Sequence, residues 1–207
     1  MIRPLAPTDV AWAASQHARL MEHSVFAMFG AGFLECFYRE FAVSRHSVSF
    51  VFEQDGSPRG VIACTSDRRA FMRGLFLKSG LRIGYYLLKS LLKRPCRRMV
   101  FQSPGYIGRT CNDLIKAEMV FITVSPECRG AGAARSLIEA VLDEYHRRGV
   151  DKVNVSIESD NVAVRKLLLS MNFRVVDTFI FGDKPNDLLL RNLGGSGKGP
   201  EMEIPAG

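Results

Sequence analysis

Short β-prone runs alternate along this chain with stretches whose apolar positions recur every three or four residues, and the order of these runs predicts the elements. Ile2 to Leu5 reads as a short strand, and Pro7-Thr8-Asp9 caps a helix carrying Val10, Trp12, Ala13 and Ala14 to about Met21. Phe33, Leu34, Phe37, Tyr38 and Phe41 fall at helical spacing within a second helix, from about Gly32 to Phe41. Val48 to Phe52 and Gly60 to Cys64 are β-rich, and the turn signal Gln54-Asp55-Gly56-Ser57-Pro58 between them predicts an antiparallel hairpin. Ser66 to Lys116 mixes basic residues with Phe71, Leu75, Phe76, Leu81, Tyr85, Leu88 and Leu92. That mixture predicts two short amphipathic helices, broken near Gly80 and stopped before Pro95.

Met119 to Val124 is continuously apolar, the pattern of a strand buried on both faces. Ala134, Leu137, Ile138, Val141, Leu142 and Tyr145 then make one stripe on a helix from about Ala133 to Arg148, with Gly149 as its stop. Val153, Val155 and Ile157 alternate with polar residues, so strand, helix and strand form a parallel βαβ unit. Asp160 or Asn161 caps a last helix through Met171, and Asn172 suits the left-handed position after it. Phe173 to Ile180 and Leu188 to Leu193 read as a closing antiparallel pair around the turn Gly182 to Asp187. The expected organisation is one domain over residues 1–193, with 66–116 as a basic helical insert, and a flexible tail over 194–207.

Charge adds one feature that the apolar pattern lacks. Ser66 to Lys116 holds twelve Lys or Arg against two Asp, a net of +10 when the whole 207-residue chain carries +7, so the remainder is mildly acidic. A field of that kind attracts anions. No apolar run reaches the eighteen or so residues of a membrane helix, and MIRPLAPTDV lacks the apolar core of a signal peptide, which gives a cytoplasmic expectation. Five cysteines without a C-x-x-C pair read as free thiols, and the scattered His17, His23, His46 and His146 give no metal-ligand spacing, so no metal is expected.

The chemistry concentrates in Val124-Ser125-Pro126-Glu127-Cys128-Arg129-Gly130-Ala131-Gly132-Ala133-Ala134, which joins a buried strand to a helix N-terminus. Small residues there leave backbone N–H groups unshielded at the positive end of the helix dipole, where a phosphate would be held, and Arg129 adds a charge. A dinucleotide fingerprint does not fit, because four residues separate strand and first glycine and Arg135 stands where a small residue is needed; a P-loop Gly-Lys-Ser/Thr is absent.

Arg129-Gly130-Ala131-Gly132-Ala133-Ala134 after Val124-Ser125-Pro126 resembles the R/Q-x-x-G-x-G/A signature of the GNAT family of acyl-CoA-dependent N-acyltransferases. The run from Asn161 to Phe173 is similar to a second family motif, with Val164, Leu168 and Asn172 departing from its small residue, tyrosine and glycine. The resemblance implies a mixed α/β (α+β) fold, a central splayed β-sheet flanked by helices. It implies an N-acetyltransferase moving an acetyl group from acetyl-CoA to a primary amine in a ternary complex, without a covalent enzyme intermediate. The cofactor pyrophosphate would lie on the amides of Arg129, Gly130, Ala131, Gly132, Ala133 and Ala134. Its pantetheine arm would run along Ile122, Thr123 and Val124, with Asn161 bonding the arm and a backbone N–H near Val124 polarising the thioester.

The resemblance also makes Glu118 the base for the substrate ammonium, which is physically reasonable for a carboxylate beside an apolar strand. Leu168 cannot supply the proton that the family tyrosine gives to the departing thiolate, and the thiolate can leave unaided. Cys128 is incidental to this chemistry. The acceptor expected is a small-molecule amine, an amino-sugar or other anionic amine drawn by the basic insert. A non-catalytic acyl-CoA-binding module and a basic membrane- or nucleic-acid-surface binder are the competing readings, although no nucleic-acid motif is present.

Overall fold

A computed structural model describes residues 1–22, 24–92, 97, 115–181 and 184–194. His23, Cys96, Cys111, most of the insert beyond Leu92, the Gly182-Asp183 part of the expected turn and the tail from residue 195 lie outside the described residues. The elements are β1 (Ile2–Pro4), α1 (Val10–Leu20), α2 (Val25–Met28), α3 (Ala31–Val43), β2 (Ser47–Gln54), β3 (Ser57–Thr65) and α4 (Arg68–Ser90). After them come β4 (Ala117–Val124), α5 (Ala133–Arg147), β5 (Lys152–Glu158), α6 (Val162–Ser170), β6 (Arg174–Phe181) and β7 (Lys184–Asn192). Among the described residues no helix is long and apolar enough to cross a membrane.

Seven strands form one mixed sheet in the order β1-β2-β3-β4-β5-β7-β6, with β4 and β5 its parallel neighbours. The β2–β3 hairpin turns at Asp55 and Gly56, both at positive φ, the conformation that matches the twist of a two-residue hairpin. One face is covered by α1, α3 and α4, which bury Ala13, Leu34, Phe37, Phe71 and Leu75 against Val51, Val61 and Phe121. The other is covered by α5 and α6, which bury Leu137, Val141, Tyr145 and Leu168 against Ile62, Met119, Val153 and Leu189. The striped helix read from the sequence is therefore the one whose single apolar face closes the second core.

Several expectations need correction. The segment expected to form two helices broken near Gly80 is one helix, α4, ending before Pro95. Gly80 and Gly84 face open space, so each costs about 1 kcal/mol of helix propensity relative to Ala without altering any packing. Phe71 and Leu75 before them, and Ile83 between them, bury on the same side and hold the helix in one register. The N-terminus of α4 is fixed by Asp67, whose carboxylate accepts the Ala70 N–H at 2.9 Å. The close approach of α4 to α3 requires Gly32, where a Cβ would lie 2.1 Å from the Tyr86 hydroxyl.

The short helix α2 was not expected; Ser24 caps it by accepting from the Ala27 N–H. Strand β7 begins at Lys184, inside the expected turn. Its turn-forming residues sit in a strand because they are satisfied there. The Asp187 carboxylate accepts from Ser159 Oγ, Arg165 Nε and Thr178 Oγ1, and Asn186 Nδ2 donates to the Phe181 and Lys184 carbonyls.

A strand opening with a buried carboxylate at its vertex

Strands β4 and β5 pair only through Ala117↔Val153, Glu118↔Asn154 and Met119↔Val155. Beyond that rung β4 continues along β3 to Val124, and β5 continues along β7 to Glu158, so the two strands keep their outer partners and lose each other. The register shift explains where they part. Cys64 pairs with Met119 and Ala63 with Phe121, which leaves Val120 as the extra residue of a β-bulge, and a bulge bends its strand away from the sheet. From Glu118 to Val124 the β4 side of this opening runs about 20 Å at 3.3 Å per residue.

The mouth of the opening lies between two helix starts. At the end of β4, Pro126–Cys128 makes one 3-10 turn, and Gly130 (φ 78°) and Gly132 (φ 81°) lead into α5. Gly132 is the N-cap and has no side chain to cap the helix, so the first-turn amides of α5 receive no N-cap side-chain hydrogen bond. A Cβ on Gly130 or Gly132 would meet nothing within 4 Å, which places open space at the loop. Positive φ, rather than crowding, is what demands glycine at both. Arg129, Gly130, Ala131 and Gly132 are exposed, Ala133 is buried and Ala134 is half-buried.

The loop is held from behind. Ser125 donates its N–H to the Arg59 carbonyl at 2.7 Å, and its hydroxyl accepts from Gln16 Nε2 at 2.9 Å. Cys128 is buried with its thiol donating to Gln54 Oε1.

At the end of β5, Asn161 caps α6 by accepting the Val164 N–H at 3.3 Å. Its carbonyl oxygen is thus occupied while the residue stays exposed, so capping and ligand binding through its NH₂ group are compatible. Asp187, which the sequence reading missed, ties this corner together through Ser159, Arg165 and Thr178. Burial pushes the Asp187 carboxyl up, but the hydrogen bonds from Arg165, Ser159 and Thr178 outweigh it, and its pKa is lowered. Ile122 and Val124 turn their side chains toward the second core and Thr123 is buried. Only the backbone of these three residues is therefore placed to meet a ligand in the opening.

At the closed end stands Glu118, the second residue of β4 rather than a residue before it. It is 5% exposed, and its Oε2 lies 3.1 Å from Arg68 Nη1 at the start of α4. Burial raises the carboxyl pKa, and the Arg68 charge and hydrogen bond oppose that rise without cancelling it. Thr65 and Asn154 are its register partners on β3 and β5, so all three share one face of the sheet, and Ser156 follows on that face two residues along β5. The Thr65 and Ser156 hydroxyls are buried with no hydrogen-bond partner among the described residues.

Sequence reading found Glu118 but not Arg68, Thr65 or Ser156. Register joins Glu118 to Thr65, and no local spacing reveals that pairing. Two further residues are placed by burial. Leu168 is buried in the second core, so it offers no proton donor to the opening. His17 is fully buried between Tyr38 and Ser24, with its ring centroid 4.3 Å from that of Phe121, and burial pulls its pKa down to about 4.

The sequence model of the Acetyltransferase (GNAT) family matches residues 18–173. No curated protein matches the chain significantly. Among solved structures, an N-acetyltransferase from Staphylococcus aureus Mu50 is similar at TM-score 0.62 and 17% identity, over 94% of this chain and 98% of that one. The structure of yncA from Salmonella typhimurium with its cofactor acetyl-CoA aligns at TM-score 0.62 and 15% identity over 98% of each chain. The ribosomal-protein-S18-alanine N-acetyltransferase from Escherichia coli aligns at TM-score 0.58 and 15% identity, over 98% of this chain and 99% of that one. At these identities the structures establish the fold, and the family match covers three quarters of the sequence: the chain belongs to the GNAT acetyltransferase family.

Proposed function

We propose that the protein is an N-acetyltransferase that moves an acetyl group from acetyl-CoA to the primary amine of an anionic small molecule, such as a phosphorylated or nucleotide-linked amino-sugar, by direct transfer in a ternary complex. The observation that carries this reading is the position of Glu118, a buried carboxylate on the last rungs before β4 and β5 part. The loop to α5 follows the far end of β4, about 20 Å of strand from Glu118 to Val124, a span that suits an extended phosphopantetheine arm. When bound, acetyl-CoA supplies the activated acyl group; the rest is the work of this chain.

The amides of Gly130 to Ala134 and the Arg129 guanidinium hold the pyrophosphate, because the helix dipole and unpaired N–H groups favour a negative charge there. The inner backbone edge of Ile122 to Val124, left without a strand partner, bonds the amides of the arm, and the Asn161 NH₂ group adds a contact. One N–H of that edge polarises the thioester carbonyl. Glu118 takes the proton from the substrate ammonium, directly or through a water. Its raised pKa keeps the base form scarce until the pH exceeds the ordinary carboxylate range, so turnover rises with pH through that raised value. Arg68 holds the carboxylate in place and favours its charged form. The thiolate departs without a protein acid, which its low basicity permits.

The anionic preference rests on the basic segment, of which Arg68 reaches Glu118. A thiol-release assay on matched anionic and neutral amines, at low and high salt, tests both parts of the proposal. Faster consumption of acetyl-CoA with the anionic form, with an advantage that shrinks as salt rises, is the expected result. Equal specificity constants with equal salt responses reject the anionic acceptor. The buried Leu168 favours one alternative, a module that binds acyl-CoA without using it, and the absence of thiol release with every amine, despite acetyl-CoA binding, would establish that reading instead.

A further inference from the structure

We propose that α4 docks the protein on the surface of an anionic phospholipid bilayer. Core contacts fix the rotation of this helix: Phe71, Leu75 and Ile83 are buried beneath it, and Lys78 is tied to the buried Glu40 at 2.9 Å. The opposite face therefore points outward whatever it carries. It carries leucines. Leu77, Leu81 and Leu88, with Leu92 just past the helix end, are 81%, 96%, 69% and 82% exposed, and Tyr85 beside them is 60% exposed. Spacings of four, seven and four residues keep these leucines on one stripe. Single exposed leucines need no explanation, but a continuous stripe of them does.

Charge identifies what covers the stripe. On a helical wheel Arg73 borders it on one side, and Arg82 and Lys89 on the other, all of them exposed. Asp and Glu are absent from residues 68 to 92. The neighbouring carboxylate on this surface, Glu35 of α3, shares a shallow cleft of about 280 Å³ with Arg39 and Arg82. An apolar stripe between two cationic borders matches the depth profile of an anionic bilayer, acyl chains in the centre and headgroup phosphates at the sides. A second copy of the chain fits less well, since a two-fold pairing of this face sets cationic border against cationic border. Nucleic acid would neutralise the borders and leave the leucines in water.

The test is flotation of the full chain with vesicles of phosphatidylcholine alone and of phosphatidylcholine with about 30% phosphatidylglycerol, at low and high salt. The expected result is at least about tenfold tighter binding to the anionic vesicles, weakened by salt. The combined variant Leu77→Gln, Leu81→Gln, Leu88→Gln, which leaves the charge unchanged, should lose about tenfold or more of that binding while keeping its thermal unfolding curve, because the three side chains contact solvent rather than core. No binding to anionic vesicles overturns the proposal. So does equal binding of wild type and the triple variant, which would mean that charge alone attracts the protein. Sedimentation showing a dimer that the triple variant dissolves would assign the stripe to a second copy and likewise overturn it. Each readout is independent of acetyl transfer.

Discussion

The two ends of the β4–β5 opening are built from different materials. The mouth is made of backbone: amides of a six-residue loop, two glycines at positive φ, and a strand edge whose side chains face elsewhere. The vertex is made of side chains, Glu118 and Arg68 with the hydroxyls of Thr65 and Ser156, drawn from three strands and a helix. A backbone cradle recognises what every acyl-CoA shares, its phosphates and its amide-bearing arm. A side-chain pocket is free to change with the amine, so the proposed function assigns specificity for the acceptor to the vertex.

Substitutions at the two ends should therefore separate catalysis from cofactor binding. The largest effect is expected at the vertex. Glu118→Gln should lower kcat by about 100-fold, the usual worth of a general base, and leave the acetyl-CoA dissociation constant within about twofold. A parallel loss of cofactor affinity would show that the two ends are not independent. At the mouth, Gly132→Val should weaken acetyl-CoA by about tenfold, because a side chain enters the open cradle and a left-handed backbone costs a non-glycine residue about 1–2 kcal/mol. Calorimetry with unchanged affinity would remove the loop from the cofactor site.

The smallest effect concerns the corner beneath Asn161. Asp187→Asn should cost about 1–2 kcal/mol at neutral pH by weakening the bond to Arg165, seen as a lower melting temperature. The sign with pH follows from the lowered pKa: the carboxylate stabilises the fold above the ordinary carboxylate value, and the contribution is lost as pH falls through its lowered value. The melting temperatures of wild type and variant should accordingly converge in acid; a constant gap would mean that packing, not charge, is what Asp187 contributes.

The difference in materials also decides what the sequence could disclose. The mouth is contiguous, so Arg129 to Ala134 and the capping Asn161 could be read directly, as could the parallel unit around α5 with its single apolar stripe. Glu118 was legible only through the family resemblance, and its partner Arg68 was not, because fifty residues separate them and α4 and β4 bring them together. The strand opening itself depends on a bulge at Val120, and a uniformly apolar run gives no sign of one. The false break at Gly80 has a related cause. Periodicity weighed the glycines locally, while the burial of Phe71, Leu75 and Ile83 of the helix against the rest of the fold decided the matter. Asp187 misled for the opposite reason, since a polar residue that signals a turn can lie within a strand when three donors meet it.

The central claim is that Glu118 is the base and that Arg68 sets its readiness. The most direct measurement is the pH dependence of kcat/KM for one amine acceptor in wild type and in Arg68→Gln. Arg68 lowers the Glu118 pKa, so removing its charge should move the acidic limb of the profile to higher pH and leave the alkaline limb in place. Superimposable acidic limbs in the two proteins would contradict the account.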